Sequence, residues 1–78
     1  MEEKVIDMLV KLCETDEVKN DWNINLFETS LLDSFGFIEL LLTIEADFGL
    51  TVGPTEVQRE QIDTPNKIIK FIKTKKGL

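Results

Sequence analysis

At 78 residues, with one cysteine and no histidine, the chain reads as one small domain, 1–78, that cannot close an internal disulfide. Its 15 acids outnumber its nine bases, for a net charge of −6, which disfavours binding to nucleic acid. No apolar run approaches the roughly 20 residues of a membrane span, and the opening MEEK lacks a secretory signal's character, so a soluble cytoplasmic protein that is not membrane-embedded is expected.

Residues 2–15 come first. At about 100° per residue, Met8, Leu12, Val5, Leu9, Cys13, Ile6 and Val10 fall on one arc, opposite Lys4, Asp7, Lys11 and Glu14. That pattern predicts a surface helix with a broad buried face. Residues 16–32 lose the periodicity and read as a long loop held down by Trp22, Ile24, Leu26, Phe27, Leu31 and Leu32. Loops of that length in small domains are often functional. A second helix is expected over 34–49, ended by Gly49. Its core face is Phe37, Leu40, Leu41, Ile44 and Phe48, and a further apolar stripe runs through Phe35, Ile38, Leu42 and Ala46. One apolar face suffices for a surface helix, so the second stripe is either covered by the long loop or exposed for docking.

Thr55 with Gln58 has the spacing of a capping box, which predicts a short helical turn over about 55–61. Thr64-Pro65 marks the start of a last helix, 65–75, with Ile68, Ile69, Phe71 and Ile72 as its apolar set. No strand pattern is evident. The expected fold is all-α: a small bundle of three main helices plus one short helix, with a long loop between helices 1 and 2. Charge is uneven along it. Residues 1–63 hold all 15 acids and four bases, a net −11, whereas residues 64–78 hold five lysines and no acid, a net +5. An acidic body favours a protein partner with a basic docking patch. The lysines also suit a helix C-terminus.

Chemistry is sparse. Without histidine, the commonest general base and metal ligand is missing. Cys13 lies within the buried arc and reads as a core cysteine. Asp21, Asn23 and Asn25 alternate like the start of a calcium loop, but Leu26 and Leu32 stand where such a loop needs glycine and glutamate. No metal site is expected. There remains Leu31-Leu32-Asp33-Ser34-Phe35-Gly36 at the start of the second helix. By itself Asp-Ser there is an ordinary helix cap.

Its setting says more. Asp33-Ser34, then Glu39-Leu40, then Ile44-Glu45 with Phe48, resembles the phosphopantetheine attachment site of acyl and peptidyl carrier proteins. Leu32-Asp33-Ser34-Phe35-Gly36, Glu39-Leu40-Leu41-Leu42, Thr55-Glu56, Arg59-Glu60 and Thr64-Pro65-Asn66-Lys67-Ile68 resemble the D-alanyl carriers of teichoic acid D-alanylation. The resemblance covers nearly the whole chain. It implies an acyl-carrier-like fold and a 4'-phosphopantetheine arm, taken from coenzyme A by a phosphopantetheinyl transferase and joined to Ser34, with Asp33 supporting the site. It also implies that D-alanine rides as a thioester on the arm. An ATP-dependent D-alanine-activating ligase loads it, and a membrane O-acyltransferase system uses it at the inner face of the membrane. The chain would then be no enzyme but a monomeric, protein-bound substrate. Docking is expected through Phe35, Ile38, Leu42 and Ala46, with Glu39 and Glu45 supplying charge. A carrier for another acyl or aminoacyl group, and an unmodified helical interaction module in which Ser34 only caps a helix, are the alternatives.

Overall fold

The computed structural model describes residues 1–77, so Leu78, the last residue of the expected domain span, lies outside them. Among the described residues no strand is present. There are four α-helices, α1 (Glu2–Cys13), α2 (Glu17–Asn20), α3 (Ser34–Phe48) and α4 (Pro65–Lys76), and a 3₁₀ turn, Arg59–Gln61. The all-α expectation holds, with α1, α3 and α4 as the main helices.

The helix ends follow from local chemistry. α1 stops at Cys13, two residues short of the expected end, because Glu14 turns into the left-handed region at φ 55°. α3 begins at an Asp33 cap and ends where Gly49 takes φ 70°, a conformation with little cost for glycine. Thr64 caps α4 by accepting from the Lys67 N–H, and Pro65 fills a first-turn position that needs no donor.

Two features of the connections depart from the pattern in the sequence. The long connection holds a helix of its own, α2, whose Val18 is fully buried under α1. One apolar residue in a four-residue helix leaves no periodicity to detect. The turn expected over 55–61 is helical only at Arg59–Gln61, and its cap is Gln58 rather than Thr55. Gln58 and Gln61 form the reciprocal capping box, the Gln58 N–H donating to Gln61 Oε1 at 2.8 Å. Burial of Val57 accounts for the shift: residues 53–56 turn sharply, with the Glu56 N–H donating to the Gly53 carbonyl, and helix begins only after Val57 enters the core.

Inside, Val5, Leu9, Leu26, Leu40, Ile44, Ile62, Ile68 and Ile72 are completely buried in one cluster. Each such side chain contributes about 1.5–3 kcal/mol relative to leaving it exposed. The long connection is tied to the start of α4. The Leu26 N–H donates to the Asp63 carbonyl at 2.8 Å, and the Asn66 N–H to the Trp22 carbonyl at 2.9 Å. Asn66 Nδ2 donates to Asn23 Oδ1 at 2.8 Å, and Asn25 Nδ2 to Asp63 Oδ2 at 3.3 Å. Asp63 Oδ1, which makes no hydrogen bond, is neutralised by the Lys67 ammonium 2.9 Å away. Asn25 Oδ1 also accepts from the Phe27 and Glu28 N–H groups, and Asp21 Oδ1 from Asn23. The polar run 21–25 is therefore a set of turn-formers and cross-ties. It fixes the chain that leads into α3.

Candidate functional site

The site is built at the start of α3. Leu32 is buried and its N–H donates to the Leu26 carbonyl at 2.8 Å, which anchors the chain one residue before the cap. Asp33 is extended, and its Oδ1 accepts from the Gly36 N–H at 2.7 Å. Ser34 follows as the first helical residue, exposed to solvent. Its hydroxyl thus stands beside N–H groups that have no partner within the helix, at the positive end of the helix dipole.

Gly36 has a packing role. A Cβ there would lie 3.0 Å from Leu32 Cδ2 and 3.3 Å from Leu32 Cβ. The residue is buried, so it belongs to the inner side of α3, away from the outer stripe. Its missing side chain lets the loop pass beneath the first turn.

A side chain from elsewhere completes the site. Arg59 Nη2 donates to Ser34 Oγ, from 25 residues away. The guanidinium lies over the Phe27 ring, 5.2 Å from its centroid, and Phe27 packs in turn on Phe37 at 6.2 Å. In the sequence Arg59 stands out only as part of a resemblance, and nothing there joins it to Ser34. The available signal was that Arg59 is the sole arginine, standing in an acid-rich stretch.

The outer face of α3 descends from Ser34. Phe35 is 71% exposed, Leu42 61% and Ile38 37%, with Ala46 and Glu45 also exposed and Glu39 half-buried. The long loop therefore does not cover the second stripe. Large apolar side chains exposed in a row are the kind of surface that marks a protein contact. Cys13 lies away from it, at the end of α1, where burial pushes its thiol up to about 11. Among the described residues, no cluster of acidic, histidine or cysteine side chains is gathered to hold a metal ion.

A family model described as the phosphopantetheine attachment site matches residues 3–72. The D-alanyl carrier protein of Abiotrophia defectiva is 47% identical over 73 residues, 94% of this chain and 92% of the relative. The chain belongs to the D-alanyl carrier proteins of the phosphopantetheine-attachment family. Two further D-alanyl carrier proteins show the breadth of the match. That of Bacillus subtilis is 46% identical over 67 residues, 86% of each chain, and that of Lactococcus lactis 36% identical over 76 residues, 97% of this chain and 96% of the relative. The cofactor of this carrier is thus a covalent 4'-phosphopantetheine. The residues at the start of α3 fit that group: an exposed hydroxyl, free helix-end donors, a guanidinium beside them and open solvent beyond.

Proposed function

We propose that Ser34 is the serine that bears the 4'-phosphopantetheine, and that the chain, a monomeric single domain, carries D-alanine for the D-alanylation of teichoic acids. The observation that carries this reading is an exposed serine hydroxyl at the head of a helix whose outer face is apolar and uncovered. When bound, the arm supplies a terminal thiol that holds D-alanine as a thioester. The chain's own residues present and identify that arm. Asp33 caps α3 and so fixes the direction in which Ser34 Oγ points. The helix end favours the negative charge of the phosphodiester. Phe35, Ile38, Leu42 and Ala46, flanked by Glu39 and Glu45, form the surface that partner enzymes read.

Three partners are needed in turn: a phosphopantetheinyl transferase, an ATP-dependent D-alanine ligase, and a membrane O-acyltransferase system met at the inner face of the membrane. A shuttle among three partners works with transient contacts and fast release. With no histidine and with its one cysteine half-buried, the chain acts as a substrate of these enzymes and not as an enzyme itself. The lysine-rich face of α4 supports the membrane-proximal part of this reading, since it suits an anionic bilayer surface.

Intact mass measured after incubation with coenzyme A and a transferase tests the attachment. One phosphopantetheine should add to the wild-type chain and none to Ser34→Ala; an adduct on Ser34→Ala rejects Ser34. Loading with D-alanine, ATP and ligase should then give a hydroxylamine-labile D-alanyl adduct. Preference for a different acyl group would replace the cargo but leave the carrier.

A further inference from the structure

Arg59 is held on rigid supports. Val57 and Ile62, on either side of its 3₁₀ turn, are buried, and the Gln58–Gln61 capping box fixes the turn between them. Its guanidinium rests on Phe27 and donates to Ser34 Oγ. Among the described residues no carboxylate forms an ion pair with it, although residues 1–63 hold 15 acids. The only guanidinium of the chain therefore meets a neutral hydroxyl and an aromatic face. A guanidinium binds an anion more strongly than a hydroxyl, and its planar fork suits phosphate oxygens.

We infer that Arg59 is the phosphate-binding residue of the arm, an inference that rests on the reading of Ser34 as its attachment point. Once Ser34 Oγ is part of a phosphodiester, the oxygens of that ester carry one negative charge beside the guanidinium. That charge would sit on the residue next to Asp33, whose carboxylate repels it. Arg59 offsets that repulsion and grips the root of the arm against the Phe27 platform. An exposed charge pair of this kind favours the gripped over the free root by about two- to five-fold.

The test uses the full-length protein, with and without the arm, and intact mass first establishes whether the adduct is present. Nitrogen-15 shifts of the Arg59 side chain are compared between the two forms of the wild type. Phosphorus-31 shift and relaxation are compared between the arm-bearing wild type, Arg59→Lys and Arg59→Gln. The expected result is a shift of the Arg59 side-chain resonances on attachment, with a phosphorus signal that relaxes fastest in the wild type and slowest in Arg59→Gln. Arg59 resonances unmoved by attachment, with equal phosphorus relaxation in all three proteins, would overturn the phosphate role while leaving the carrier reading intact. The wild-type comparison decides the phosphate role even if Arg59→Gln fails to fold. Absence of the adduct from the wild type would instead reject the attachment reading, and the phosphate role with it.

Discussion

At the scale of single residues, the site depends on side chains that do no chemistry. Asp33 satisfies the Gly36 N–H and, through its own carbonyl, the Phe37 N–H, so it closes the first turn of α3. Replacing a capping aspartate by alanine costs about 0.5–2 kcal/mol. Asp33→Ala is expected to lower the denaturant midpoint by a corresponding amount, and Asp33→Asn, which keeps an accepting oxygen, by much less. Equal losses in the two variants would show that the carboxylate's charge, not its cap, sets stability. Cys13 matters for what it fails to do. A carrier of thioesters is compromised by a second reactive thiol that could take the acyl group. Burial raises the Cys13 thiol from 9.0 to about 11, so the folded chain holds this proton more tightly than the unfolded one. The stability from that preference is fully present below pH 9.0 and is lost as pH rises toward about 11. At pH 8, Cys13 should therefore alkylate on the order of 10²-fold more slowly than an unperturbed thiol, which mass spectrometry of the intact chain after iodoacetamide treatment will measure.

At the scale of elements, α3 presents two apolar faces at once. Leu40 and Ile44 are completely buried on one side, while Phe35 and Leu42 stand in solvent on the other. Leu40→Ala should cost about 2–5 kcal/mol of stability, the usual range for a buried leucine. Leu42→Ser removes no core contact. It should leave the unfolding midpoint nearly unchanged while raising KM for loading by the ligase, with the effect in KM rather than kcat. A Leu42→Ser protein that loads at the wild-type rate would remove this face from the docking surface. The two faces were legible in the sequence because fifteen helical residues give several full turns of periodicity. The exposure of the outer face was not, since an apolar stripe has the same pattern whether a loop covers it or not. α2 leaves no trace in the sequence pattern because a helix of one turn has no period. Local pattern favours a cap at Thr55 because threonine has the stronger intrinsic preference for a cap, and burial of Val57 overrides it and sets the capping box at Gln58. The contacts of Arg59 with Ser34 and of Asn25 with Asp63 span 25 and 38 residues, distances over which local pattern is silent.

At the scale of the whole molecule, charge and docking chemistry act at different stages of an encounter. The net charge of −11 over residues 1–63 would attract a partner with a basic docking patch from a distance, and salt weakens such attraction beyond about one Debye length, roughly 10 Å at 0.1 M. The docking surface proposed above is mainly apolar, with Glu45 exposed and Glu39 half-buried beside Phe35, Ile38, Leu42 and Ala46. Apolar contact is not screened, and kosmotropic salts strengthen it. Steering should therefore govern the association rate, and burial of the stripe the lifetime of the complex. Raising sodium chloride in a ligase loading assay is expected to lower kcat/KM by less than about ten-fold, the lower end of steering effects, with kcat unchanged. Replacing Glu39 and Glu45 together by glutamine should flatten that dependence while leaving most of the affinity. A much steeper loss with salt would mean that ion pairs dominate the contact, and would shift the docking role from the four apolar side chains to the two glutamates.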